Sequence, residues 1–371
     1  KFDVIIIGGG PAGTSAANYL ANYDFNVCLV EKKVFPRDVI CGEFLSYRVT
    51  DHLKNFGLFD DFINQSPTKI NSLRYSTENK EFVSELGFTA YSMKRSKFDD
   101  ILLFSAKDKG VKIFQPYESL TIKKKLNDFV VEIANDGDHL ELIANNVFSA
   151  YGKQNVLDKY LNRHFYGKTS SLTGIKFYAN KNNIQNFLSN EIRIYTSSNI
   201  YCGVDQVNAN EINFCLLTNG NNSIAFDNMY SQNKFFASLF KDGIKNLYQQ
   251  AKKFGTGNVY FGKKNIVENG IFMLGDSARM IAPLTGDGID MAMEAGYIAA
   301  NVLKEKREHN LSEEQAHGLY EGRWERTFNS RIRNAKLVQN ILLSNRLYPL
   351  TSIIPTLYPG IIKKMIKYTR K

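Results

Sequence analysis

Cysteine is scarce in this sequence and irregularly spaced: Cys28, Cys41, Cys202 and Cys215 form no Cys-x-x-Cys pair. A disulfide framework and a zinc-ribbon motif are thereby excluded. The five histidines, His52, His139, His164, His309 and His317, are equally scattered, so no metal site is expected. The thiols are expected to be reduced, as in a cytoplasmic protein. No run of about eighteen apolar residues occurs, so no transmembrane helix is expected. The apolar start Phe2–Ile7 is too short for a signal peptide, and the chain begins at Lys1, which need not be its natural start. No Ser/His/Asp or Cys/His constellation stands out. Internal repeats and low-complexity tracts are missing as well.

What is present is an ordinary globular composition, 43% hydrophobic and 23% charged over 371 residues. That length fits two closely packed domains. The 20 Tyr and 26 Phe supply either a Phe-rich core or the lining of a large apolar pocket. A net charge of +10 favours acidic partners, an acidic carrier protein or an anionic membrane surface. No nucleic-acid motif accompanies the basic residues, which cluster only near Lys123–Lys125 and at the C-terminus, so nucleic acid is not an expected partner.

Val4-Ile-Ile-Ile7 reads as a strand buried on both faces, as in a parallel sheet. A glycine-rich turn follows, then a helix over Thr14–Tyr23 and a second strand over Asn26–Glu31. This β-turn-α-β unit frames Gly8-x-Gly10-x-x-Gly13 in the setting that a dinucleotide site requires. Gly8 permits the tight turn, Gly10 admits a pyrophosphate, and Gly13 lets the helix approach the strand. The helix N-terminus, from Pro11 and Ala12 onward, supplies N–H donors and positive dipole to the phosphates. Glu31 ends the second strand 18 residues beyond Gly13, with Lys32 after it, and its carboxylate suits ribose hydroxyls.

Further along, Lys69–Leu86 and 171–220 read as antiparallel strands, Arg95–Gly110 as a helix, and 117–150 as a β-meander. Residues 231–255 read as helical, Gly270–Gly275 as a buried strand, and Gly288–Glu305 as a long helix. A carboxylate at that strand end, Gly275-Asp276, precedes the turn Pro283-Leu-Thr-Gly286-Asp-Gly288-Ile289, which opens the long helix. The pairing resembles the flavoprotein pattern and implies FAD. Asp276 would bond the ribityl chain, and the Gly288 and Ile289 amides would face the flavin pyrimidine edge, where the helix dipole favours negative charge on the reduced ring.

The sequence resembles the flavoprotein superfamily of p-hydroxybenzoate hydroxylase, geranylgeranyl reductases and flavin-dependent halogenases. The likeness rests on the GGGPAG turn with Glu31, on Pro36-Arg-Asp-Val-Ile-Cys-Gly-Glu-Phe-Leu45, on GDSARMIAPLTGDGIDMAM, and on Lys94-Arg95-Ser-x-Phe98-Asp99. It implies an α/β fold: a Rossmann-type, glutathione-reductase-like, three-layer FAD domain with an inserted antiparallel β-sheet substrate domain and a helical C-terminus. The expected segments are 1–66, 91–170 and 256–310 for the FAD domain, 67–90 and 171–255 for the substrate domain, and 311–371 for the helical end. The resemblance also implies that Arg37 and Arg95 contact FAD, that Cys41-Gly42 lies against the flavin, and that the Leu120 backbone meets the adenine.

Departures narrow the chemistry. The superfamily's hydroxylases carry Gly-Ala-Asp-Gly where this chain reads Ser149-Ala-Tyr-Gly-Lys153, so the acid is missing and NAD(P)H as transient reductant is in question. The halogenases carry Trp-x-Trp-x-Ile-Pro, whereas the one tryptophan here is Trp324. Tyr201-Cys-Gly-Val204 falls where the geranylgeranyl reductases carry aromatic-Trp-Phe-Pro. The flavin carries the hard chemistry in such enzymes, so few catalytic side chains are needed. The catalytic candidates are Tyr201, Cys202 and Glu43, and the substrate candidates Tyr201, Phe214 and Pro283.

The expected function is a flavin-dependent oxidoreductase acting on a hydrophobic substrate, of the monooxygenase (hydroxylase) type. The alternatives are a double-bond reductase served by a separate reductase partner, and a non-catalytic flavin-stabilised binding subunit. At the C-terminus, Ile361, Ile362, Met365 and Ile366 share a helical face flanked by Lys363, Lys364 and Lys367. That face either packs on the domain or lies on an anionic membrane, which would place the protein peripherally at the inner face.

Overall fold

The computed structural model describes residues 1–168, 170–220, 224–240, 244–257, 260–280 and 282–368. Two eight-stranded sheets organise it. The first is centred on Phe2–Ile7, which lies parallel to Val27–Val30 on one side and to Asp138–Ser149 on the other. Lys112–Phe114 and Ile271–Met273 extend it outward, both in parallel pairing. Val4, Ile5 and Ile6 are wholly buried, as an apolar run in a two-sided parallel sheet must be. Asp138–Ser149 is shared. Its first half closes the meander with Glu118–Lys125 and Asp128–Asn135, and its second half enters the parallel sheet.

Pro11–Asn22 packs between Arg95–Asp108 and the long helix Gly288–His309. Small residues set that spacing: a Cβ on Gly296 would meet the Ala12 carbonyl oxygen and the Ala16 nitrogen at 2.7 Å each. The two dinucleotide-binding segments, distant in sequence, are thereby clamped together.

The second sheet runs in the order Phe254–Thr256, Leu172–Asn180, Glu211–Asn219, Ile200–Gln206, Glu191–Ser197, Thr68–Ser76, Glu81–Ser92, Phe44–Leu45. It is antiparallel except where Glu191–Ser197 joins Thr68–Ser76. The expected boundaries are corrected at both ends. Phe44–Leu45, inside the 1–66 segment expected for the FAD domain, pairs with Tyr91–Ser92 and so joins this sheet. Phe254–Thr256 pairs with Gly174–Lys176, so the expected helix over 231–255 ends in a strand. Between them stand helices Ala225–Gln232, Lys234–Ala237 and Ile244–Gln250.

One face of this sheet is packed with Phe177, Phe214, Phe226, Phe236 and Phe240. The Phe-rich core reading of the composition therefore holds on the side away from the first sheet. The C-terminal region binds both halves. Helix Glu313–Leu342 starts at a capping box of Ser312 and Gln315, and its Tyr320 hydroxyl donates to the Met273 carbonyl at 2.7 Å. The last helix, Ile361–Tyr368, lays Ile362 and Ile366 against Ile70, Leu86 and Ala90 of the second sheet.

Candidate functional site

A cleft of about 580 Å³ lies between the two sheets, open along the N-terminus of helix Pro11–Asn22. Gly8 has φ +106°, and a Cβ there would meet the Ala150 carbonyl oxygen at 2.4 Å. A Cβ on Gly13 would lie 1.9 Å from the Gly8 carbonyl oxygen. Both positions therefore tolerate glycine alone. At Gly10 the added atom would meet nothing within 4 Å, so the helix start presents bare backbone donors to the cleft. Gly10 is also the N-cap and carries no side-chain cap to compete with a phosphate.

Gly8, Gly10, Pro11, Ala12, Glu31, Lys32, Arg37, Cys41, Gly42, Arg95, Gly275, Asp276, Pro283, Gly286, Gly288 and Ile289 all line this cleft. Gly13 lies beneath the turn. Glu31 is anchored by two backbone amides, Gly9 N at 2.8 Å to Oε2 and Lys33 N at 2.9 Å to Oε1. Arg37 reaches Asp99 at 3.3 Å and Glu31 at 3.6 Å. Arg95 holds the same Asp99 through Nε at 2.7 Å and NH2 at 2.8 Å. Burial works against the Arg95 charge, but Asp99 and the Cys41 sulfur outweigh it, so the guanidinium lies above its usual range. One buried carboxylate thus fixes both arginines at the cleft wall.

Several sequence expectations need correction. Leu120, whose backbone the resemblance put at the adenine, is not among the residues lining the cleft, where Tyr117, Glu118 and Ser119 stand. Cys202 and Phe214 point into the phenylalanine layer, Phe214 stacking on Phe177 at 4.8 Å, and burial pushes the Cys202 thiol well up. The strand period of two decides this: Tyr201, Gly203 and Asp205 face the first sheet, while Cys202 and Val204 face away. Glu43, another catalytic candidate, is buried and lies at the cleft lining.

Sequence reasoning missed a polar floor beneath Cys41. Glu43, in the left-handed region at φ 58°, accepts on Oε1 from Arg95 N at 2.8 Å, Lys176 Nζ at 2.5 Å and the Tyr178 hydroxyl at 2.8 Å. Burial raises its carboxyl above the usual range, against the pull of Lys176. Beside it Asp205 accepts from Ser92 and from Asn213, the latter at 3.1 Å, and burial pushes its carboxyl up to about 7. Asn213 also reaches the Cys41 carbonyl at 3.4 Å, tying floor to cleft. A buried Lys at strand position 176 was the available signal, since burial of lysine demands a partner.

On the same face the character then turns apolar. Tyr201 clusters with Leu217, Leu343, Leu172 and Leu284, the last in the turn Pro283–Thr285 of the cleft wall. The Tyr201 hydroxyl is buried with no hydrogen-bond partner among the described residues. Between Tyr201 and Asp205 stands Gly203, where a Cβ would meet nothing within 4 Å. Space is therefore open over Gly203, which is flanked by Cys215 in the neighbouring strand.

The segment replacing the superfamily's acid is locked. The Tyr151 hydroxyl donates to Asp158 at 2.7 Å and accepts from buried Arg163 at 3.0 Å. Lys264 donates to the carbonyls of Lys153 at 3.1 Å and Asp276 at 2.8 Å, and burial lowers its ammonium to about 8.

FAD fits these residues: a glycine turn too tight for side chains, bare helix-start amides, an anchored Glu31, and at the far wall a Ser119 hydroxyl buried without a partner. The family comparison agrees. Residues 1–314 match the FAD binding domain family, and the chain belongs to it. It is an FAD-binding protein of the superfamily that includes halogenases, monooxygenases and geranylgeranyl reductases. Among relatives, digeranylgeranylglycerophospholipid reductase of Thermoplasma volcanium is 25% identical over 86% of this chain and 82% of that protein. Conditioned medium factor receptor 1 of Dictyostelium discoideum is 24% identical over 81% of this chain, which spans only 63% of that longer protein. The solved flavin-dependent brominase Bmp2 superposes with a TM-score of 0.76 at 17% identity, over the whole of this chain and 93% of that one.

Proposed function

We propose that this flavoprotein hydroxylates an apolar substrate bearing a single hydrogen-bonding group. The observation that carries the reading is the open floor at Gly203, between the unpartnered Tyr201 hydroxyl and the Glu43–Lys176–Tyr178 network. Bound FAD would supply the redox chemistry there. The chain supplies the rest. Leu172, Leu217, Leu284 and Leu343 exclude water, which protects reactive oxygen species from wasteful decay. The Tyr201 hydroxyl orients the polar group of the substrate. Glu43, Lys176 and Tyr178 hold an exchangeable proton beneath Cys41, and their mutual bonds fix where it sits.

A second reading, reduction of a carbon–carbon double bond with electrons from a separate protein, is supported by the Tyr151–Asp158–Arg163 lock, where the hydroxylases use an acid. The two part experimentally. Hydroxylation predicts that NADPH or NADH bleaches the flavin under nitrogen, and that under air the substrate-free protein releases hydrogen peroxide. A flavin reduced by dithionite or ferredoxin but by neither nicotinamide sinks this reading in favour of the reductase. Gly203→Phe is expected to cut turnover by at least about tenfold, with FAD content and melting temperature unchanged, because the new ring fills substrate space.

A further inference from the structure

The charge of this chain is unevenly placed. Residues 326–371 contain ten Lys and Arg and no Asp or Glu, while the rest balances at 37 of each, so the whole +10 lies in that stretch. Arg331 is buried against Asp290, but Arg326, Arg333, Lys336, Arg346, Lys363, Lys364 and Lys367 are exposed.

The same stretch carries a helix turned inside out. In Leu350–Leu357, Leu350, Ile353, Ile354 and Leu357 recur at the spacing of one helical face, and all four are exposed, Leu357 to 67%. Thr351 and Pro355 face inward instead. Leu347 and Tyr358 extend the apolar face at either end, with Tyr358 also 67% exposed. The next helix has the ordinary orientation, Ile362 and Ile366 inward and Lys363, Lys364 and Lys367 outward. Of the two expectations for Ile361–Ile366, packing on the domain holds for Ile362 and Ile366, and the exposed face belongs to the preceding helix. That predecessor is seated firmly: the Tyr348 hydroxyl donates to the Thr196 carbonyl at 2.9 Å, and Lys80 Nζ donates to Thr356 at 3.0 Å. Glu78 is the acid beside Tyr348.

We propose that this face docks the protein on an anionic lipid surface. Helix Leu350–Leu357 lies in the interface with its four aliphatic side chains among the acyl chains, and the flanking cations meet the phosphate headgroups. A stripe of aliphatic side chains inside a cationic rim matches a bilayer better than an acidic carrier protein, which would meet the cations but leave the stripe exposed. No described helix is long and apolar enough to cross a membrane, so the contact is peripheral. Leu343, four residues before Leu347, packs in the Tyr201 cluster, so the docked face adjoins the proposed substrate space. The docking stands without the reaction type.

The test is flotation of the FAD-loaded chain with vesicles of phosphatidylcholine, with or without one part in about three of phosphatidylglycerol. Binding to the anionic vesicles is expected to be about tenfold tighter and to weaken with salt. Ile353→Asp/Leu357→Asp is expected to lose about tenfold with flavin content and melting temperature retained, and Lys363→Gln/Lys364→Gln/Lys367→Gln to bind more weakly with less dependence on salt. Equal binding by the wild type and the Asp double variant overturns the proposal. So does absence of flotation with either vesicle, including the case in which a purified acyl carrier protein binds instead. Flotation reads independently of turnover, so its failure is distinct from failure of the hydroxylase reading.

Discussion

At Asp205 the cost of placing a carboxyl on a buried sheet face is visible in its titration. Its pKa of about 7 in the folded chain stands above the ~3.9 of an unfolded aspartate, because burial outweighs the Ser92 and Asn213 donors. The folded state therefore holds the proton more tightly. The stability this contributes is complete below about pH 4 and is lost as pH rises through about 7. Asp205→Asn keeps acceptor geometry without the charge. Its melting temperature is expected to stay flatter than that of the wild type between about pH 5 and about pH 8 and to exceed it at the upper end. A parallel fall in both proteins would show that Asp205 does not govern the dependence. The strand through Tyr201–Val204 was legible from its alternation, but the burial of Asp205 beyond it was not. Alternation assigns Tyr201, Gly203 and Asp205 to one face and Cys202 and Val204 to the other. It does not say which face meets the flavin when both are covered.

Among the elements, the first strand, glycine turn and helix were readable because each is fixed by local sterics. A continuous apolar run demands a two-sided sheet, and Gly8 and Gly13 occupy positions where a Cβ would strike the main chain. Gly13→Val is accordingly expected to yield protein with little or no FAD and a lower melting temperature, measured by flavin absorbance per chain and by thermal unfolding. Retention of full flavin would refute the close-approach argument. The register shift between Ser119 and Thr121 was not legible, because no residue type marks it. Strand Phe254–Thr256 was missed because three residues carry too little periodicity, and only the pairing with Gly174–Lys176 creates it.

Across the whole molecule, the C-terminal helices fasten the flavin-facing turn to the second sheet. Arg331, on helix Glu313–Leu342, meets Asp290 at 2.5 Å and Asp287 at 3.8 Å, all three side chains buried. Those carboxylates flank Gly288 and Ile289 at the helix start in the cleft. Arg331→Met removes one of the two cations beside these carboxylates, Arg48 being the other, and is expected to cost up to roughly 3–5 kcal/mol, the figure for a broken buried pair. Urea unfolding is expected to report that loss, and FAD should dissociate at a lower temperature than from the wild type. Unchanged values in both measurements would mean that the pair anchors nothing.

The sequence by itself determined the dinucleotide turn, the flavin-type pairing of Asp276 with the Gly286–Gly288 turn, and the interleaved order of two sheets. Steric limits on glycine and the periods of strand and helix act over a few residues, so they are written locally. Only the tertiary structure decided the rest: that Glu43, Lys176 and Tyr178 meet beneath Cys41, that Phe214 lies behind the sheet, and that Leu350–Leu357 rather than Ile361–Tyr368 shows its apolar face. Each of these depends on which of two apolar or two polar surfaces finds a covering partner. For Glu43 that partner is Lys176, 133 residues away along the chain.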